Sequence, residues 1–459
     1  MTDITAVRWD DELIEKYNIN GPRYTSYPTA VQFEALSEET VTGVMTQAQA
    51  ETGPMSLYVH LPFCEHICFY CACMKVGTKD KSKADVYLDA IELEAAKRSP
   101  FFKHRQVDQL HFGGGTPTFL TDVQMSRLLT ILKTHFTWNA SGEYSIEIDP
   151  RTTSNEMLTF LRDNGFNRIS LGIQDFNEET QKSVNRLQSL EMVTDLMNHA
   201  RALEFDSISF DLIYGLPHQN EARFLETLDK VIALSPDRLS VYNYAHLPER
   251  FKPQRRIVTD TLPALDEKIR MLKSTIETLQ NAGYVYIGMD HFAKPTDGLT
   301  KALQDGSLQR NFQGYSTHGD LDMLALGVSS ISHIQGAFMQ NDAVLSQYEE
   351  KVMNDQFFTA RGFHLSQDDK IRQKLIRELS CAGEVLFSDY EKEYGINFAD
   401  YFAYGLEQMR LQEQDELVEL TDNSIKVLPQ GRLLLRIICM AFDAYLEPGK
   451  TTQKFSKII

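Results

Sequence analysis

Tyr58-Val59-His60-Leu61-Pro62-Phe63-Cys64-Glu65-His66-Ile67-Cys68-Phe69-Tyr70-Cys71 sets three cysteines, spaced C-x3-C-x2-C, directly behind a run that reads as a β-strand over 56–61. The strand delivers the thiols together in one loop at its C-terminal end. Thiolates are soft ligands suited to iron–sulfur clusters. Four irons need four ligands, so three cysteines leave one iron open. The competing reading is a zinc site using Cys73 as fourth ligand. Structural zinc sites usually use two separated ligand pairs, whereas these four cysteines all lie within 64–73. The spacing therefore favours a cluster on Cys64, Cys68 and Cys71. Cys73, two residues beyond, is expected to point elsewhere.

Working outward, short β-type runs alternate with helical patterns. Strands are expected over 56–61, 109–112, 144–148, 168–173, 207–213 and 238–242. Helices are expected over 84–97, 122–135, 154–164, 179–203 and 220–234. Six βα units in series imply a parallel sheet with helices outside. No GxGxxG follows the first strand, which argues against a dinucleotide fold. The fold class expected is α/β, a partial (β/α)6 TIM-like barrel whose chemistry sits on loops at the C-terminal strand ends. A further helix over 264–282 and a strand near 284–289 extend it. Residues 1–54 read as a polar, irregular N-terminal arm, with Gly21-Pro22-Arg23-Tyr24-Thr25-Ser26-Tyr27-Pro28-Thr29 extended rather than helical. Residues 55–361 form the catalytic barrel. Residues 362–459 form a mostly helical, winged-helix-like C-terminal domain, with helix over 406–412, a hairpin over 416–428 and helix over 431–445.

The open iron suits S-adenosylmethionine (SAM), whose amino and carboxylate groups can ligate it. Reducing the cluster then cleaves SAM to a 5′-deoxyadenosyl radical, chemistry that belongs to the cofactors. Gly113-Gly114-Gly115-Thr116-Pro117 follows the second strand, where glycines let backbone groups approach a ligand closely. Glu147 lies inside the third strand, and a carboxylate there is costly to bury without a partner. Gln174 and Asp175 end the fourth strand, Asp211 interrupts the fifth, and Arg186 lies in Val184-Asn185-Arg186-Leu187-Gln188. Each alone reads equally well as a structural polar residue; together they suggest one polar site above the barrel.

The 459 residues are 42% hydrophobic and 24% charged, ordinary for a globular protein long enough for a large domain and a smaller one. The net charge of −18 argues against nucleic-acid binding, which normally shows a basic face. An anionic substrate must be met by local basic residues. No apolar run is long enough to span a bilayer, and the charged N-terminus does not read as a secretory signal. A cytoplasmic enzyme is expected.

With these residues in hand, the chain resembles the oxygen-independent coproporphyrinogen III oxidases (coproporphyrinogen dehydrogenases) of the radical SAM superfamily. The resemblance covers essentially the whole chain. It rests on the arm 21–30, the stretch 58–73, Gly113 to Pro117, and Asp211-Leu212-Ile213-Tyr214-Gly215-Leu216-Pro217. Asn243-Tyr244-Ala245-His246-Leu247-Pro248, Gly288-Met289-Asp290-His291-Phe292, Asn311-Phe312-Gln313-Gly314-Tyr315 and Gly327-Val328-Ser329 also match. It implies a [4Fe–4S] cluster on Cys64, Cys68 and Cys71. It implies one SAM contacted by Tyr58, Gly114, Glu147 and Ile331. A second SAM would be lined by Tyr70, Gly115, Thr116, Gln174, Arg186, Asp211 and Ala245. Tyr58, Glu147 and Arg186 are the candidate catalytic residues.

The implied reaction is oxidative decarboxylation of two propionates of coproporphyrinogen III to vinyl groups, giving protoporphyrinogen IX in anaerobic heme biosynthesis. The arm is a candidate lid, and Arg23 a candidate anchor for substrate carboxylates or a surface ion pair. A low-potential donor such as flavodoxin or ferredoxin and a monomeric state are expected. Competing readings are a radical SAM methyltransferase that opens heme and a non-catalytic heme chaperone. Such relatives tend to lack the arm and the extra cysteine. The chain departs from the family pattern at Leu187, at Ala382-Gly383 and at Ile437.

Overall fold

The alternation of apolar and polar residues in the expected strands is realised as a sheet with two unlike faces. The computed structural model describes residues 4–319, 321–446, 455 and 457. They form two compact units. One comprises 33–271 and 320–364, and the other comprises 1–32, 272–319 and 365–459.

In the first unit, β1 (Met55–Leu61), β2 (Gln106–Gly114), β3 (Thr137–Ile148), β4 (Arg168–Gln174), β5 (Ser207–Tyr214) and β6 (Arg238–Asn243) pair in chain order, all parallel. The intervening helices are α1 (Ser82–Arg98), α2 (Asp122–His135), α3 (Asn155–Asp163), α4 (Glu178–Ser183), α5 (Leu190–Ala202) and α6 (Glu221–Leu234). Thr121, Ser154, Asn177, Ser189 and Asn220 each accept backbone N–H bonds at the start of the helix that follows. This is the expected partial (β/α)6 barrel.

One sheet face carries Leu57, Val59, Leu110, Phe112, Ile146, Leu171, Phe210 and Leu212, all fully buried. The residues between them are polar and in register. Tyr58 lies opposite His111, His111 opposite Ser145, Glu147 opposite Ser170, and Asp211 opposite Gly172 and Ser240. An ordinary barrel interior is filled with branched apolar side chains. Here one face holds the core and the other is free to bind a polar group.

The sheet extends past β1 through strands that the sequence pattern does not indicate. β7 (Met323–Leu326) pairs parallel with β1, and β8 (Ile331–Ile334), β9 (Ala337–Asn341) and β10 (Thr359–His364) follow antiparallel, with Glu34–Ala35 at the edge. Buried Glu94 of α1 anchors this extension. Its carboxylate accepts from Gly327 N at 2.7 Å, Asn341 Nδ2 at 2.7 Å and the Tyr348 hydroxyl at 2.5 Å.

The expected helix over 179–203 is broken into α4 and α5. Asn185 takes φ +56°, Arg186 folds back to donate to Gly172 O, and Ser189 starts a new helix. Nor is the stretch 1–54 uniformly irregular: Asp11–Lys16 and Glu38–Ala48 are helices, capped by Asp10 and Ser37.

In the second unit, residues 21–27 are non-helical as expected but not extended throughout, since Tyr24 takes φ +47° and the backbone bends over 25–28, and their carbonyls pin them. Arg436 donates to Gly21 O and Pro22 O, Arg310 Nε to Tyr24 O at 3.2 Å, and Gln373 Nε2 to Tyr27 O at 2.7 Å. The C-terminal pattern forms as expected through helix Ala403–Gln414 and the hairpin Val418–Leu420/Ser424–Val427, to which Glu384–Leu386 adds a third strand. The last helix is shorter than expected, a 3-10 turn Gly431–Leu434 followed by Leu435–Met440.

Candidate active site

The cysteine loop is held at the end of β1 by backbone bonds and by side chains such as Asn185, whose Nδ2 donates to Ile67 O at 2.9 Å, and Lys75, whose Nζ donates to Cys71 O at 2.8 Å. Phe63–Cys64 pairs parallel with Val76–Gly77, closing the loop between them. Gly115 N donates to Leu61 O, Thr116 N to Phe63 O, and Phe69 N to Val184 O. The glycine turn is required by this packing. A Cβ on Gly114 would lie 2.5 Å from the His60 ring, and one on Gly115 would lie 2.7 Å from the Pro62 carbonyl. Its glycines thus admit neighbouring protein atoms, where the sequence suggested room for a ligand.

Cys64, Cys68 and Cys71 line one cavity of about 290 Å³ at the C-terminal strand ends. Tyr70, Gly114, Gly115, Thr116, Glu147, Gln174, Arg186 and Asp211 line the same cavity. Among the described residues no three His, Cys, Asp or Glu groups are placed to hold a single metal ion. Cys64, Cys68 and Cys71 bring three soft thiols to a shared space, a donor set that fits an iron–sulfur cluster. Cys73 does not point elsewhere. It lines the cavity, and its thiol hydrogen-bonds to Cys71, holding the Cys71 thiol below its ordinary range with help from Lys75. Cys73 is an exposed residue, and its hydrogen bond to Cys71 sets its thiol toward the cavity.

Cations stand against the thiol sulfurs. Arg186 Nη1 lies 3.4 Å and Arg151 Nη2 3.5 Å from Cys68 Sγ, and Thr116 Oγ1 lies 3.5 Å from Cys64 Sγ. Arg186 and Arg151 share Asp149, at 3.2 and 2.6 Å. Burial opposes the charge on Asp149, but the two guanidinium groups outweigh it and hold the carboxyl at about 2. Asp149 and Arg151 were missed in the sequence; the signal was the charged pair flanking Pro150 directly after β3. Arg186 is 6% exposed, and its Nε is buried without a partner among the described residues. An orphaned guanidinium donor beside this cavity fits a carboxylate-bearing ligand such as SAM.

Glu147 is half-buried. Burial works against its ionisation, yet His111 Nε2 at 3.4 Å and Gly114 N at 3.3 Å keep its carboxyl below the usual value. His111 also stacks on Tyr58, with ring centroids 5.8 Å apart, and Tyr58 hydroxyl meets His60 Nδ1 at 3.1 Å. Tyr58 is thus behind Glu147 rather than on the cavity wall. Gln174 takes φ +66° at a register shift in β4, a bulge of the kind that re-aims side chains. Ala245 does not line the cavity, but buried Gln254 Nε2 bonds both Ala245 O and Tyr70 O, at 3.3 and 2.9 Å. Gln254 gave no sequence signal. Ile331 begins β8, outside the cavity wall.

Asp211 accepts from Ser170 Oγ at 3.1 Å. Burial and the charge of Glu147 push its carboxyl up to about 6. A raised acid binds its proton more tightly in the folded state. This contribution to stability is therefore full below about pH 4 and lost as pH rises through 6. Asp211→Asn should stabilise the cofactor-free protein above pH 6.5 by up to ~3 kcal/mol, with little change near pH 4. Urea unfolding at the two pH values checks this, and an equal shift at both would contradict it.

Arg23 lies in the second unit, where it, Arg310 and Arg436 oppose the burial-raised carboxyl of Asp290. Of the departures, Leu187 is 53% exposed, Gly383 takes φ +68° just past helix Gln367–Cys381, and Ile437 is buried in Leu435–Met440. None lines the thiol cavity. Among the described residues no helix is long and apolar enough to cross a membrane.

A family model described as the radical SAM superfamily matches residues 58–231. The oxygen-independent coproporphyrinogen III oxidase of Pseudomonas aeruginosa is 48% identical over 461 residues, covering 99% of this chain and 100% of the relative. That of Escherichia coli is 47% identical over 457 residues, covering 99% and 100%. The solved structure of coproporphyrinogen III oxidase from Escherichia coli, described as a radical SAM enzyme, has a TM-score of 0.92 at 46% identity. It covers 96% of this chain and 100% of that one. Full-length identity, the shared fold and three thiols grouped at the end of β1 agree, and the chain belongs to the oxygen-independent coproporphyrinogen III oxidases, within the radical SAM superfamily.

Proposed function

We propose that this chain decarboxylates two propionate side chains of coproporphyrinogen III to vinyl groups, giving protoporphyrinogen IX in anaerobic heme biosynthesis. The observation that carries the reading is the single cavity in which three thiols meet Glu147, Arg186 and Asp211, in a chain 48% identical end to end to an enzyme of that name. Cys64, Cys68 and Cys71 would hold a [4Fe–4S] cluster. The reduced cluster with SAM supplies a carbon radical able to take hydrogen from an unactivated C–H bond.

The chain's own residues bind and orient. Glu147 and the Gly114 backbone receive the SAM ammonium, with His111 and Tyr58 holding Glu147 in place. Arg186, fixed by Asp149 and Gly172 O, presents a guanidinium to a carboxylate. Tyr70, Gly115, Thr116, Gln174, Asp211 and Ala245, together with Arg186, would line a second SAM. Ile331 would contact the first. Residues 55–361 would carry the radical chemistry, with 1–54 as an N-terminal arm and 362–459 as a C-terminal helical domain. A cytoplasmic monomer served by a low-potential flavodoxin or ferredoxin completes the proposal.

Each decarboxylation moves one hydrogen atom from the propionate β-carbon to the radical, releases carbon dioxide and passes one electron to an acceptor. In an anaerobic assay with SAM and a reductant, 5′-deoxyadenosine should therefore form one-for-one with carbon dioxide. Carbon dioxide release without 5′-deoxyadenosine would overturn the radical route.

A further inference from the structure

Lys268 stands in the first turn of helix α7 (Leu265–Asn281), within the part through Met271 that belongs to the barrel unit. Its ammonium donates to Tyr244 O at 3.2 Å. Its ε-methylene occupies the space above Gly215. A Cβ on that glycine would come 2.8 Å from Lys268 Cε, 3.1 Å from Nζ and 3.4 Å from Asn243 Oδ1. Gly215, at φ +87°, follows β5 directly, and Tyr244 follows β6. The glycine of Gly215-Leu216-Pro217 thus makes room for this lysine.

The position is at the mouth of the cavity. Ile213 and Tyr242 line the cavity wall, and Gly215 and Tyr244 are two residues further along the same strands, a step of about 7 Å. The chain has 64 Asp and Glu against 46 Lys and Arg, yet among the described residues no carboxylate pairs with Lys268. The acids beside it are engaged elsewhere. Glu267 accepts from Glu221 N and Arg270, and Asp266 accepts from Arg270. Burial alone lowers the Lys268 pKa. A partly desolvated ammonium with one backbone acceptor and no counter-charge is a place prepared for an anion.

We propose that Lys268 binds a ligand carboxylate at the mouth of the barrel. Under the function proposed above, on which this inference rests, two carboxylates reach that mouth: a propionate of the tetrapyrrole and the methionyl carboxylate of a second SAM. In either case Lys268 touches ligand, and Gly215 and Tyr244 position it.

The test uses cluster-loaded enzyme and direct binding, without turnover. SAM affinity is read by equilibrium dialysis. Tetrapyrrole affinity is read with coproporphyrin III, the fluorescent oxidised form, and with its tetramethyl ester. Lys268→Gln keeps a donor for Tyr244 O but loses the charge, and Lys268→Arg keeps the charge. Lys268→Gln should keep its iron and weaken one ligand by about 10- to 100-fold, the worth of one charged hydrogen bond. Lys268→Arg should recover most of that loss.

A loss for coproporphyrin III that vanishes with the ester assigns the propionate, and a loss for SAM alone assigns the methionyl carboxylate. Wild-type affinity of Lys268→Gln for both, or a loss equal for acid and ester with SAM unchanged, overturns the proposal. Because binding is read directly, failure of the decarboxylation assay would remove the function and leave this test standing.

Discussion

Anaerobically purified protein should hold about four irons per chain, and alanine at Cys64, Cys68 or Cys71 should abolish the cluster absorbance. The three thiols are the only protein donors to the cluster in this account, so losing one leaves two irons of four unsupported. Cys64 and Cys68 are buried and Cys71 half-buried, whereas Cys73 is exposed. Cys73 is the internal control. It hydrogen-bonds to Cys71, so Cys73→Ala changes the electrostatics of the loop and leaves the ligands in place. That variant should keep its iron. Stoichiometric zinc in the wild type, or loss of metal from Cys73→Ala equal to that from the ligand variants, would replace the cluster with a four-cysteine zinc site.

Arg186→Ala should keep the cluster and lose turnover. The guanidinium bonds Gly172 O, Asp149 and Cys68 Sγ, and its Nε has no partner among the described residues. Arg151 still neutralises Asp149 in the variant, which spares the fold the full cost of an unpaired buried charge. The missing donor to a SAM carboxylate contributes roughly 1.5–3 kcal/mol, a 10- to 100-fold loss of SAM affinity. Arg186→Lys restores charge without the fork and should recover only part of it. Full activity of Arg186→Ala at limiting SAM removes Arg186 from the site.

The six parallel strands were legible because apolar and polar residues alternate through much of their length, and the polar residues that broke the apolar pattern, Glu147 and Asp211, share one face. The cysteine loop was legible from spacing alone. The break before α5 was not, because Leu187 and Leu190 continue a helical period; the Arg186 hydrogen bonds override that propensity. The antiparallel strands from β8 to β10 are four to six residues long, too short for a period to register. Gln254 and Lys268 act through partners distant in sequence, Tyr70 and Gly215, and such pairings have no local signature. Cys73 was misread because its neighbour's hydrogen bond, not its spacing, sets where it points.

The mass of the tetrapyrrole left after anaerobic incubation with SAM, reductant, an electron acceptor and coproporphyrinogen III tests the account most directly. The expected product has lost two carbon dioxide units with their accompanying hydrogens and carries two new vinyl groups and no added methyl, with heme left intact under the same conditions. SAM cleavage with coproporphyrinogen untouched, while heme gains a methyl group and opens, would contradict it. So would tight binding of heme with neither tetrapyrrole converted.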